Sequence, residues 1–245
     1  MELTDPTIRI ALAFILNAVL AAGTYAGKVV SRSGAIGGFA VGLIIYYFTD
    51  WRGYLVLVTF FVLGTLVTKV KYKEKADKGI AQEDEGRRGS KHAIANASTA
   101  ILMGILSFFF EEYRYVFLAG FTGAFATALS DTASSEIGQA YGKTTILLTS
   151  FKRVPPGTEG AVSAEGTFAG IFASIILAIV ALLAGVVLGW QGIVAIVLAA
   201  FIGNTLESLI GSTIEQLKFI NNEVTNFINT LIGATAAMLI YSILT

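Results

Sequence analysis

Cysteine is absent from the 245 residues, which excludes disulfides, thiolate catalysis and cysteine-ligated metals. The single histidine, His92, rules out a histidine-rich zinc site. Charge is scarce as well: Asp, Glu, Lys and Arg make up 14% of the chain, where a soluble domain carries about 25%. No G-x-x-x-x-G-K-[ST] loop and no protein-kinase signature set occurs, so a nucleotide, if used, is held by another route. No G-x-S-x-G elbow accompanies His92, which leaves hydrolase chemistry unsupported. Internal repeats and low-complexity tracts are lacking too.

What the chain does contain is apolar length. Hydrophobic residues make up 55% of it, the mean hydropathy is +0.72, and several runs approach the roughly 20 residues needed to cross a bilayer. The expected fold is all-α, a polytopic transmembrane bundle of about eight helices in a single integral membrane domain over residues 1–245. The apolar runs fall near 8–25, 35–49, 54–70, 92–110, 114–131, 166–188, 191–211 and 226–244. The first lacks a basic leading region and ends in Gly27-Lys28 rather than at a cleavage site, so it reads as a retained helix and not a signal peptide.

The 17 basic residues match the 17 acidic ones; the net charge of zero says little about partners, and no nucleic acid is expected. The distribution says more. One alternate set of connecting segments holds Lys28, Arg32, Lys69, Lys71, Lys73, Lys75, Lys78, Arg87, Arg88, Lys91, Lys143, Lys152, Arg153 and Lys218, and the other only Arg9, Arg52 and Arg114. If all eight runs cross, the positive-inside rule puts both termini outside the cell membrane and the long loops, near 72–91, 132–165 and 212–225, in the cytoplasm. Loops of that length are usually functional or disordered, so an active site is expected to face the cytoplasm. Gly34, Gly38 and Gly42 recur every four residues, a small-residue face that suits close helix packing.

Strongly polar residues inside apolar spans are costly and point to function. Here they recur one turn apart: His92 and Asn96; Thr127, Asp131 and Ser135; Asn204, Glu207 and Ser208; Asn222, Asn226 and Asn229. On the topology above, each stripe lies at the cytoplasmic end of its helix. Asp131 and Glu136 are five residues apart and would diverge by about 140° on one continuous helix, so both reach one metal only if the helix ends or kinks between them, as Ser134 and Ser135 would permit. Oxygen ligands without thiols or histidines select magnesium or manganese. The turn Pro155-Pro156-Gly157, followed by Gly160, can offer backbone amides to an anion, with Lys152 and Arg153 adding charge.

The motifs Ser130-Asp131-Thr132-Ala133-Ser134-Ser135-Glu136-Ile137-Gly138, Val154-Pro155-Pro156-Gly157-Thr158-Glu159-Gly160-Ala161-Val162-Ser163, Glu207-Ser208-Leu209-Ile210-Gly211-Ser212 and Asn221-Asn222-Glu223-Val224-Thr225-Asn226 fall in order along the chain. Together with Arg87-Arg88-Gly89-Ser90-Lys91-His92 and Asn96, they make it resemble the membrane phytyl-phosphate kinase family of the vitamin E pathway. Ala133 departs from that pattern, where a bulkier aromatic is common. The resemblance implies an isoprenoid monophosphate of phytyl or geranylgeranyl type as acceptor, a nucleoside triphosphate with CTP expected as donor, magnesium or manganese, and an isoprenoid diphosphate as product.

On that resemblance Asp131, Glu136 and Glu207 are expected at the metal. Lys152, Arg153, Pro156, Gly157, Thr158, Gly160 and Ser163 are expected at the nucleotide, with Asp131, Glu136, Lys152 and Arg153 catalytic. Arg87, Arg88, Lys91, His92, Asn96, Asn204, Asn222 and Asn226 are expected at the acceptor. The same ingredients would serve an isoprenoid alcohol kinase or a CTP:lipid-phosphate cytidylyltransferase. A transporter is disfavoured, because it calls for polar residues near mid-membrane and repeated halves. Homo-oligomerisation is common for small bundles, although no residue here argues for it.

Overall fold

The computed structural model describes residues 6–82, 86–87, 89–215 and 221–245. In lipid every backbone polar group must be satisfied within the protein, which leaves helices as the solution for apolar runs of this length. Among the described residues these are α1 (Pro6–Ala26), α2 (Arg32–Lys69), α3 (Tyr72–Asp77), α4 (Ser90–Phe109), α5 (Arg114–Tyr141), α6 (Ala164–Leu183), α7 (Gly189–Ile210) and α8 (Asn222–Leu244). All but the short α3 are long and apolar enough to cross a membrane.

Helix α2 has 38 residues. At 1.5 Å per residue a straight rod would be about 57 Å long, nearly twice the hydrocarbon thickness. It is not straight. Asp50 leaves the helical region (φ 55, ψ −164), and its Oδ1 accepts a hydrogen bond from the Arg52 amide at 2.8 Å, starting a second arm. The rings of Tyr46 and Tyr54 lie 5.4 Å apart, whereas eight residues along one rod would separate them by about 12 Å. The chain therefore folds back at Asp50, so the seven long helices give eight apolar arms. The Arg9 guanidinium approaches the Asp50 carboxylate at 3.8 Å at this reversal.

Helix α5 is the axis of the bundle. Every residue from Leu118 to Ser130 is buried, and α2, α4, α8, α7 and α6 surround it in that order, each packed on α5 and on its neighbours, with α1 outside on α2. Small residues make this close approach feasible. A Cβ at Gly123 would lie 3.0 Å from the Gly233 carbonyl oxygen, and one at Gly233 would collide with Thr127. The hydroxyls of Thr99 and Thr230, 3.0 Å apart, tie α4 to α8.

Two differences from the sequence expectation matter for the site. Helix α5 does not end or kink at Ser134–Ser135; it runs on to Tyr141, so the loop expected at 132–165 begins ten residues late. Burial also continues where hydropathy falls, because Ala133 and Glu136 are buried in that extension. The short helix α3 explains why: Lys75 is 1% exposed, and its Nζ donates to the Glu136 carboxylate and, at 3.1 Å, to the Thr68 carbonyl. Lys71 stands over the Tyr141 ring, 4.5 Å from its centre. The segment after the second arm is thus fastened along the flank of α5.

This ion pair gives a stability prediction. Lys75→Met leaves the Glu136 carboxylate buried beside an apolar chain, a loss of about 3–5 kcal/mol when one side of a buried pair is removed. The double variant Lys75→Met/Glu136→Leu removes both charges and is expected to recover most of the loss. Thermal melting of detergent-solubilised protein checks this; equal midpoints for K75M and wild type would contradict it.

Candidate active site

Between α5 and α6 the chain builds a small flap. Strand β1 (Thr145–Leu147) pairs antiparallel with β2 (Ala161–Ser163), Thr145 opposite Ser163. On the other edge of β1, the Leu147 amide donates to the Lys152 carbonyl at 3.1 Å and the Val154 amide to the Thr145 carbonyl at 3.0 Å. Runs of three residues are too short to read as strands from alternation, so the sequence showed only a loop here.

The proline–glycine segment makes two successive turns. The Thr158 amide donates to the Pro155 carbonyl at 3.3 Å, with Pro156 and Gly157 (φ +88) as the central pair, the pattern of a type II turn. The Ala161 amide donates to the Thr158 carbonyl at 3.1 Å across Gly160 (φ +70). A Cβ at Gly160 would stand 2.8 Å from the Ser212 Cα and collide with the Ser208 carbonyl, so glycine is required both by conformation and by contact with the end of α7. Ser163 then caps α6, its Oγ accepting from the Gly166 amide at 3.1 Å.

These turns close a polar cavity of about 110 Å³ at the loop end of the bundle. Asp131, Ser135 and Gln139 line it from α5 at four-residue spacing, and Asn204, Glu207 and Ser208 line it from one stripe of α7. The flap contributes Pro156, Gly157, Thr158, Glu159, Gly160 and Ser163. Asn204 Nδ2 donates to Ser134 Oγ at 2.8 Å, locking α7 against α5 at this level. Two acids from separate spans, Asp131 and Glu207, therefore share one cavity with the proline–glycine turns.

Other expected residues lie elsewhere. Glu136 does not join Asp131: the unbroken helix turns it about 140° away, onto Lys75. Among the described residues no three of His, Asp, Glu or Cys are gathered as a metal cluster, so the trio of Asp131, Glu136 and Glu207 is not assembled. Lys152 and Arg153 are exposed on the flap and do not line the cavity. His92 and Asn96 line a different, apolar cavity. Lys91 is exposed in the first turn of α4 and Arg87 half-buried just before it. Asn222 is exposed and Asn226 buried on α8, and neither lines the polar cavity. Arg88 lies outside the described residues. Gln139, Thr145 and Thr167, which line the cavity, were missed; for Gln139 the available signal was its place eight residues after Asp131.

The lining fits a hard cation better than a bare anion. Asp131, Glu159 and Glu207 are among the lining residues, and a multivalent cation would offset their repulsion of a phosphate. Magnesium takes one or two protein carboxylates and completes its shell with substrate phosphate oxygens and water, a demand that Asp131 and Glu207 meet.

Known proteins resemble this chain over most of its length. The model of the family described as integral membrane protein DUF92 matches residues 15–234. An uncharacterized membrane protein of Synechocystis is 42% identical over 82% of this chain and 78% of its own length. Protein VTE6, chloroplastic, of Arabidopsis thaliana is 37% identical over 85% of this chain, which spans 64% of the plant protein. An uncharacterized membrane protein of Methanocaldococcus jannaschii is 32% identical over 98% of both chains. No solved structure matches. With nearly its whole length matched, the chain belongs to the integral membrane protein family DUF92.

Proposed function

We propose that the protein is a membrane-embedded kinase that moves the γ-phosphoryl group of a nucleoside triphosphate, CTP by expectation, onto an isoprenoid monophosphate. The observation that carries the reading is the meeting of Asp131, Glu207 and the Pro156–Gly160 turns in one polar cavity at the end of an apolar bundle. The ordered motifs shared with the phytyl-phosphate kinase family support it, as does the likeness to Protein VTE6. The site is proposed to face the cytoplasm, where the nucleotide is.

The chemistry asks little of a general base. A phosphate monoester has a second pKa near 6 and is already anionic at neutral pH. One of its oxygens attacks the γ-phosphorus, the new P–O bond forms, and the bond to the β-phosphate oxygen breaks. The leaving nucleoside diphosphate keeps that electron pair, and no proton moves. Catalysis then rests on bringing two anions together and holding them in line. Asp131 and Glu207 would hold Mg²⁺ or Mn²⁺, which when bound neutralises phosphate charge. The turns at Gly157 and Gly160 would offer backbone amides to donor oxygens, as nests do. Asn204, held by Ser134, would orient a phosphate with the rest of its carboxamide.

The direct test is purified protein with phytyl, geranylgeranyl and farnesyl monophosphates and each nucleoside triphosphate. The expected products are the nucleoside diphosphate and the prenyl diphosphate; pyrophosphate with a CDP-lipid would instead identify a cytidylyltransferase. Asp131→Asn and Glu207→Gln are each expected to lower kcat/KM by roughly 100-fold or more, about 2.7 kcal/mol of transition-state stabilisation, with melting unchanged. Lys152→Ala and Arg153→Ala, on the exposed flap, are expected to cost less than about tenfold. Nucleotide binding itself, followed by equilibrium dialysis, should require a divalent cation and vanish with EDTA. Full affinity without the cation would contradict the electrostatic argument.

A further inference from the structure

A second cavity, of about 210 Å³, lies among α1, the two arms of α2 and the first turns of α4. Its walls are apolar, with Leu20, Phe39, Leu57, Val58 and Phe61 among them. Polar groups mark its two ends. At the deep end Asn17, 4% exposed, donates from Nδ2 to the Ala13 carbonyl at 2.7 Å and accepts from the Tyr54 hydroxyl at 3.0 Å. The Asn17 carboxamide is seated on Gly42, where any Cβ would overlap it. This floor is satisfied internally and asks nothing of an occupant.

The loop end is different. His92 and Asn96 line it from α4, and the Asn96 side chain, 5% exposed, has no hydrogen-bond partner among the described residues. The starts of α2 and α4 meet there, with Gly37 so close to Ser90 that a Cβ would lie 3.1 Å from it. Among the described residues, two helix N-termini, Arg32 and Lys91 stand at this mouth. From Thr24 down to Asn17, seven residues, the cavity is about 10 Å deep. The neighbouring segment touches both cavities: Gln82 is 3.3 Å from the His92 ring, and a Cβ on Gly157 would lie 2.6 Å from the Ile80 Cγ2.

We propose that this cavity seats the head-proximal part of the acceptor's isoprenoid tail, about two isoprene units for a depth of about 10 Å, with the anionic end at the His92–Asn96 mouth, the second unit against the Asn17–Tyr54 floor, and a longer tail turning out between the helices. The proposal rests on the lipid-phosphate reading above and gives that reaction its acceptor seat. An apolar chain fills walls that hold no other polar demand, and the Asn96 carboxamide is left for the head.

Gly38 supplies the test. It lines the cavity, and a Cβ built on it meets nothing within 4 Å, so Gly38→Leu projects into the empty space without displacing a neighbour. The probe is geranylgeranyl monophosphate with a diazirine on the second isoprene from the phosphate, photolysed with the full-length protein in detergent and mapped by mass spectrometry. Wild type is expected to be labelled near Asn17 and Tyr54. Gly38→Leu should cut that labelling roughly tenfold, by filling the apolar volume the tail would bury, and leave nucleotide binding intact.

Labelling that maps to α6 and α7, or that survives Gly38→Leu unchanged, would overturn the proposal. So would displacement of the probe by dioleoyl phosphatidic acid as effectively as by unlabelled geranylgeranyl monophosphate, which would make the cavity a general lipid site. Expected labelling without phosphoryl transfer supports the tail seat and counts only against the transfer reaction.

Discussion

The fold and the site both depend on α5 remaining one unbroken helix to Tyr141. Continuity sends Asp131 and Glu136 to different sides of the same rod, about 140° apart. One carboxylate opens into the polar cavity and the other closes a buried pair with Lys75. Two acids so near in sequence thus take opposite roles: Asp131 is placed to hold a charged ligand, and Glu136 fastens α3 to the helix that presents Asp131. A break at Ser134 would merge these roles and leave Lys75 buried without its partner.

The surroundings of α5 convert that geometry into a site. Thr127 against Gly203 and Gly233 draws α7 and α8 onto the axis, and the Asn204–Ser134 hydrogen bond fixes α7 about two turns farther along α5. Glu207 then reaches the cavity from the same stripe as Asn204. The flap completes the enclosure because Gly160 can touch the backbone at the end of α7 where a side chain could not. Among the described residues, Lys152 and Arg153 are exposed on the flap outside this enclosure. On the proposed reading, a polyphosphate would enter the cavity with a divalent cation, and the lipid phosphate would meet the α2–α4 mouth first. On this account the two substrates approach from different sides of the bundle's loop end.

Much of this was legible in the sequence, for identifiable reasons. Eight apolar runs with basic residues in alternate connections imply eight spans, and α2 satisfies that count by reversing at Asp50. Asp131 and Glu207 stood out because an acid at the end of an apolar run is costly, and alternation put both at one end. Glu136 was misjudged because its pairing depends on where the helix stops, which hydropathy does not reveal once polar residues begin. Lys75 gave no signal at all: it sits among lysines in a polar stretch, and only the folded chain shows it buried. Gly34, Gly38 and Gly42 looked like one packing face, yet Gly42 packs on Asn17 while Gly38 borders empty space. One sequence does not say which small residues meet a neighbour and which face a void.

The central claim is that Asp131 and Glu207 together hold a divalent cation that admits the nucleotide. Manganese titration followed by electron paramagnetic resonance, in the presence of CTP, tests it most directly. The account predicts one nucleotide-dependent Mn²⁺ site per chain in the wild type, lost in the Asp131→Asn/Glu207→Gln double variant that still melts as the wild type does. An Mn²⁺–CTP site of unchanged affinity in that variant would contradict it.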